Sequence, residues 1–181
     1  MKSYKIAFLD RDGVINSKNF NNGYIGHLKY FKWIPGARKS ISFLKKNGYK
    51  VVVVSNQSGV ARGFFKLSDV NKIHSYIQNK LKLINTKLDG FFFCPYHKDG
   101  IRKRFSKDSI LRKPKIGMFK LVQRKWKIDK KKSFIIGDQV TDMQFGKKSG
   151  ISHYLFDENK DVNLYYYILD KIIKKRSNVT N

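Results

Sequence analysis

The sequence predicts a doubly wound parallel α/β sheet in a single domain, and three observations carry that expectation. Short apolar runs, Ile6-Ala7-Phe8-Leu9, Val51-Val52-Val53-Val54 and Phe134-Ile135-Ile136, recur along the 181 residues. Stretches with helical spacing of apolar residues separate them, and such alternation builds a parallel sheet covered by helices. Polar strings rich in Asp, Ser and Gly follow directly on these runs, at the strand ends where sheets of this class bind ligands.

Taken in order, a strand over 4–10 leads through a long loop to a helix near 36–47, then a strand over 50–55. A helix over 68–84 follows, opened by Ser68-Asp69, with Ser68 as the expected N-cap. Its residues Val70, Ile73, Ile77, Leu81 and Ile84 repeat at helical spacing and are assigned to the core. A strand over 90–94, a basic loop, a helix over 116–127, a strand over 133–137, a helix over 140–149, a strand over 152–156 and a helix over 161–175 complete the domain. The residues from Arg176 to Asn181 read as a frayed tail, leaving 1–175 as the folded unit.

Composition narrows the class. A hydrophobic fraction of 41% argues against disorder, and the length suffices for one substantial core. No apolar stretch reaches the roughly 18 residues of a membrane span, and no signal-peptide pattern precedes the first strand, so a cytoplasmic location and no membrane partner are expected. The single cysteine, Cys94, fits a reducing compartment. Lys and Arg number 39 against 13 Asp and Glu, a net charge of +26 that suits anionic ligands. The lysines are scattered, as at Lys45-Lys46, Lys130-Lys131-Lys132 and Lys147-Lys148, where cations suit helix ends and turns. They form no stripe interleaved with stacking aromatics, so nucleic acid is the disfavoured partner.

Chemistry is concentrated in four strings. Asp10 and Asp12 stand two apart at the end of the first strand, so both can face one ligand, and Gly13 lets the chain turn away. Ser55 sits at the tip of the second strand, before the Gly-bracketed loop Asn56-Gln57-Ser58-Gly59-Val60-Ala61-Arg62-Gly63. Lys113 precedes Pro114, which biases it toward an extended, outward-reaching backbone. Gly137-Asp138 closes another strand, with Asp142 four residues on.

As a set, from about Tyr4 to about Phe156, these segments resemble the haloacid dehalogenase superfamily of phosphohydrolases. Within it, Phe8 to Asn16, Ser55 to Gly63, Cys94-Pro95-Tyr96-His97, Arg112-Lys113-Pro114 with Gly117-Met118, and Gly137-Asp138 with Asp142-Met143 look like the heptose-bisphosphate and histidinol phosphatase family. The resemblance implies a Mg2+-dependent phosphatase removing the 7-phosphate of D-glycero-D-manno-heptose 1,7-bisphosphate in nucleotide-activated heptose biosynthesis; a monomer is expected. It assigns Asp10 as nucleophile and Asp12 as general acid and base. Ser55 and Lys113 become holders of the transferring phosphoryl group. Metal ligands are Asp10, Asp138 and the backbone carbonyl of Asp12, a donor set suited to Mg2+. Asp142 orients Lys113 or the metal shell. Asn56, Gln57 and Arg62 line the substrate loop, and Arg112 grips the distal phosphate. Many relatives carry a separate cap domain, but the gaps after Asp12 and after Phe92 are only loops, so a capless domain with an open site is expected.

Two departures qualify the resemblance. The family's zinc loop uses Cys-x-His and Cys-x-Cys, whereas this chain keeps Cys94 but has Tyr96, Ser109 and Leu111 at the other positions, with His97 displaced by one. Zinc is therefore not expected, since a structural site wants four ligands. The fourth string carries Gln139 and Thr141 where relatives often have Lys and Glu. His27, His74 and His153 have no partner at ligand spacing. The alternative enzyme readings are a polynucleotide 3'-phosphatase, whose domain shares the Arg-Gly loop and Arg-Lys-Pro, and a histidinol-phosphatase. A non-enzymatic nucleic-acid-binding module is a distant third, because it leaves Asp10, Asp12 and Asp138 unexplained.

Overall fold

The computed structural model describes residues 2–18, 23–161 and 163–177, with side chains placed up to Lys171. Five strands form one parallel sheet in the order β3-β2-β1-β4-β5: β1 Ile6–Leu9, β2 Lys50–Asn56, β3 Gly90–Cys94, β4 Phe134–Gly137 and β5 Ser152–Leu155. Five helices connect and flank them: α1 Ala37–Lys46, α2 Leu67–Lys82, α3 Gly117–Lys125, α4 Val140–Ser149 and α5 Leu164–Ser177. The elements fall where the apolar periodicity puts them, within a few residues.

Successive residues of a strand face opposite sides of a sheet, and β1 shows the consequence. Ala7 and Leu9 pack with Ile41 and Leu44 of α1, Ile73, Ile77 and Leu81 of α2, and Leu164 and Ile168 of α5. Ile6 and Phe8 pack with Met118, Phe119 and Val122 of α3 and Phe145 of α4. Both faces are thus dry, which is why the central strands read as uninterrupted apolar runs. Burying one such side chain contributes about 1.5–3 kcal/mol.

A few expectations need correction. Helix α2 starts at Leu67, so Ser68 lies inside its first turn; the N-cap is Lys66, whose backbone N–H donates to the Asp69 carboxylate at 2.8 Å. Ile84 lies beyond the end of α2 and is exposed, because the turn after Lys82 carries it off the helix's apolar stripe. Helix α5 begins at Leu164 rather than 161 and runs to Ser177; residues 178–181 of the expected tail lie outside the described residues. Between β1 and α1, and between β3 and α3, the described residues form loops, with one 3-10 turn at Leu28–Tyr30, and no inserted domain stands over the sheet.

The connectivity fixes where a ligand can sit. The chain runs outward from β1 through β2 to β3, then returns to β4 on the other side of β1. The connections after β1 and β4 therefore diverge, opening a crevice at their carboxyl ends.

Candidate active site

Asp10 leaves β1 and Asp138 leaves β4, one on each side of that crevice. The Asp10 N–H donates to the Ile136 carbonyl at 2.9 Å, which extends the β1–β4 ladder into the site. Gly13 makes the approach possible: its φ is +85°, and a Cβ there would lie 2.5 Å from the Asp138 carboxyl carbon. Asp142, in the first turn of α4, completes the cluster, and one oxygen from each of Asp10, Asp138 and Asp142 lies within 4.8 Å of the others.

Lys113 enters this cluster from below. Its backbone lies in a turn rather than an extended stretch, and its side chain is buried, only 2% exposed. Its Nζ lies 2.9 Å from Asp10 Oδ2 and 2.5 Å from Asp142 Oδ1, and donates to the Val54 carbonyl at 2.8 Å. Burial alone would lower the lysine's pKa, but the two carboxylates outweigh it and hold the ammonium above its usual value. Burial dominates at Asp142, which is pushed up to about 6 against the pull of Lys113 and with the help of Asp10's charge. Asp142 Oδ2 also accepts the Gln139 N–H at 3.1 Å, so one side chain both caps α4 and orients Lys113.

Asp138 is raised by burial and then by Asp10, while Lys18, which ion-pairs with its Oδ2, pulls the other way. Gln139 Nε2 donates to the same oxygen at 3.1 Å. Three crowded carboxylates with hard oxygen donors are the donor chemistry Mg2+ takes, and like charges this close call for a cation.

Asp12 faces a different set of partners. Its Oδ1 accepts from Arg11 Nε and Asn16 Nδ2, both at 2.9 Å; its Oδ2 accepts from Arg11 Nη2 at 2.8 Å and Gln57 Nε2 at 2.9 Å. Gln57 Nε2 also lies 3.0 Å from the Ser55 hydroxyl, linking Asp12 to the tip of β2. Asn56, expected to face substrate, instead makes a reciprocal pair with the backbone of Lys113: Lys113 N–H to Asn56 Oδ1 at 3.0 Å and Asn56 Nδ2 to the Lys113 carbonyl at 3.1 Å. Its amide is occupied in holding the lysine loop against β2.

Arg62 and Arg112 stand apart from the carboxylates, on the loops after β2 and β3. Arg62 Nη2 lies 3.1 Å from His97 Nε2. The imidazole's pKa is lowered by burial and by both arginines, which favours the neutral, accepting form. Among the described residues, the buried Arg62 Nε and Arg112 Nη1 have no protein partner. The Arg112 guanidinium is pulled down by burial and, against the opposing Cys94, by Arg62.

The three loops around the site share a small core of their own. Val60, Phe65 and Val70 pack with Tyr24, Leu67, Phe93 and Phe105, and Arg102 ties the loop after β3 to Ala61 and Gly63 by hydrogen bonds of 3.0 and 3.2 Å. Cys94 is buried under this loop, where burial raises its thiol pKa.

Arg11, Asn16, Lys18 and Gln139 carry contacts that sequence reasoning assigned to no one. Arg11 lies between two acids whose alternation directs attention away from it, and nothing in its identity announces that it folds back on its neighbour.

A dry parallel sheet bearing acids at the ends of β1 and β4, with a buried lysine between them, is the framework of the haloacid dehalogenase-like phosphatases. A family profile described as "Polynucleotide kinase 3 phosphatase" matches residues 5–167. The D-glycero-beta-D-manno-heptose-1,7-bisphosphate 7-phosphatase of Rhodopseudomonas palustris is 37% identical over 159 residues, covering 88% of this chain and 86% of that protein. The corresponding alpha-heptose phosphatase of Photorhabdus laumondii is 35% identical, covering 81% and 79%. The crystal structure of D,D-heptose bisphosphate phosphatase from B. bronchiseptica, complexed with magnesium and phosphate, superposes with a TM-score of 0.75 at 27% identity, covering 92% and 86%. The chain belongs to the polynucleotide kinase 3 phosphatase family.

Proposed function

We propose that this protein is a Mg2+-dependent phosphatase that removes the 7-phosphate of D-glycero-D-manno-heptose 1,7-bisphosphate, acting as a cytoplasmic monomer without zinc. The observation that carries the choice of a bisphosphate is the second cationic subsite. Arg62 and Arg112 present buried nitrogens that have no partner among the described residues, on the loops after β2 and β3, and Arg112 is the residue next to Lys113. Guanidinium groups grip phosphate in a two-point fork, so one anion at Lys113 and another at the arginine pair match a substrate with two phosphates. The relatives' names support the same reading.

Asp10, Asp138 and the Asp12 carbonyl would hold Mg2+, with Asp142 alongside. When bound, the ion supplies charge neutralisation at the transferring phosphoryl group. A carboxylate oxygen of Asp10 attacks phosphorus while the ester P–O bond breaks, and the leaving alkoxide takes a proton from Asp12. Lys113 and the Ser55 hydroxyl stabilise the non-bridging oxygens in that step. Water then attacks the aspartyl phosphate, returns a proton to Asp12 and frees Asp10 and inorganic phosphate.

A second reading, hydrolysis of polynucleotide 3'-phosphates, is favoured by the +26 charge and the uncapped crevice. Phosphate release in the presence of Mg2+, compared across both heptose 1,7-bisphosphate anomers, histidinol phosphate and a 3'-phosphorylated oligonucleotide, tests the choice. The bisphosphate is expected to have the highest kcat/KM. A higher value for the oligonucleotide overturns the sugar reading.

A further inference from the structure

Arg11 is the largest fully buried side chain, with no exposed surface, and it belongs to no role assigned so far. On an extended strand it would point away from Asp10, toward the face covered by α2. The turn after β1 folds it back. Its guanidinium grips Asp12 through Nε and Nη2, a two-point fork onto both carboxylate oxygens, and Nη2 also donates to the Ile25 carbonyl at 2.5 Å. Ile25 sits in the loop between β1 and α1 that forms one wall of the site, and is itself fully buried. His74 of α2, 6% exposed and stacked on Phe91 with ring centroids 4.3 Å apart, lies within reach of the Arg11 charge.

We propose that Arg11 is a positioning residue for the proton transfers of Asp12, and that it ties the placement of that carboxyl to the β1–α1 loop at Ile25. The inference rests on the phosphatase reading above. Asn16 and Gln57 each give Asp12 one neutral hydrogen bond, which a rotation of the carboxyl could preserve singly. Among the described residues, Arg11 alone contacts both oxygens, which fixes the carboxylate plane as well as its position. The proton that moves from Asp12 to the leaving oxygen as the P–O bond breaks must travel along a hydrogen bond of defined direction, and a loose carboxyl loses that alignment.

The dependence on leaving group separates this role from a structural one. Alkyl phosphates need a proton delivered to the departing oxygen, whereas p-nitrophenolate departs with little help. For Arg11→Met, kcat on a sugar phosphate is expected to fall about a hundredfold, and on p-nitrophenyl phosphate at least ten times less; Arg11→Lys, lacking the fork, should resemble Arg11→Met rather than wild type. In an Asp12→Asn background, adding Arg11→Met should change kcat by less than about twofold. Equal losses on the two substrates, or a further large loss on top of Asp12→Asn, overturn the proposal. Wild-type protein lacking activity on both esters would instead refute the phosphatase reading. If Arg11→Met fails to fold, the comparison is made with Arg11→Lys, whose retained ammonium keeps charge in the buried site; full wild-type behaviour in that variant also overturns the two-point role.

Discussion

Acid sensitivity of the fold should be traceable to one buried imidazole. His74 stacks on Phe91 and meets Phe93 edge-on, and its Nε2 has no partner among the described residues. Burial, and then the Arg11 guanidinium, push its pKa from 6.5 down to about 3. The folded protein therefore keeps His74 neutral, while the unfolded chain takes up a proton as pH drops through 6.5. Stability from this residue is fully present above pH 6.5 and is lost as pH falls toward 3, since the unfolded state binds more protons in that window. Linkage at one site with these two pKa values gives a loss of about 2 kcal/mol between pH 7 and pH 5. For a domain of this size that corresponds to a fall of roughly 4–8 °C in Tm. His74→Phe keeps an aromatic ring in the stack and removes the titration. Thermal unfolding of both proteins at pH 7, 6 and 5 should show the wild type losing about 2 kcal/mol more than the variant across that range. Other groups titrate equally in the two proteins and cancel, so parallel pH dependences would refute the assignment.

Three further expectations concern the reaction. Asp10→Asn keeps the shape of a side chain that Lys113 already contacts, so it should abolish turnover while circular dichroism and the melting profile still report a folded protein; near-normal turnover in a clean preparation removes the covalent mechanism. Arg112→Ala should cost about 1.5–3 kcal/mol on a sugar bisphosphate, a ten- to hundredfold fall in kcat/KM, and much less on a monophosphate. Equal losses on the two substrates reject the distal-phosphate role. Elemental analysis of purified protein should find no stoichiometric zinc, and chelation followed by add-back should restore activity with Mg2+; one tightly held zinc per chain would show that the Cys94 loop binds metal with ligands other than those expected.

The sequence by itself determined the sheet. Uninterrupted apolar runs such as Val51–Val54 can be satisfied only by burial on both faces, and helical spacing between them leaves few alternatives to a parallel, doubly wound arrangement. It also placed Asp10, Ser55 and Asp138 at strand tips, because Asp10 and Ser55 follow an apolar run directly and Asp138 follows one after a single glycine. Local rules failed where a competing contact outweighed them. Ser68 reads as an N-cap by residue type, yet the helix starts one residue earlier, with Lys66 as N-cap and its backbone N–H donating to Asp69; Ile84 keeps the helical period in sequence after the helix has ended. What only the tertiary structure decided is how side chains far apart in sequence share partners. Asn56 turns its amide to the Lys113 backbone 57 residues away, and Lys18 meets Asp138 across 120 residues. Arg11 buries a full charge because the Asp12 carboxylate and the Ile25 carbonyl both accept from its guanidinium. Periodicity encodes burial, which is a property of one element, whereas hydrogen-bond direction depends on where several loops end, and no single stretch of sequence records that.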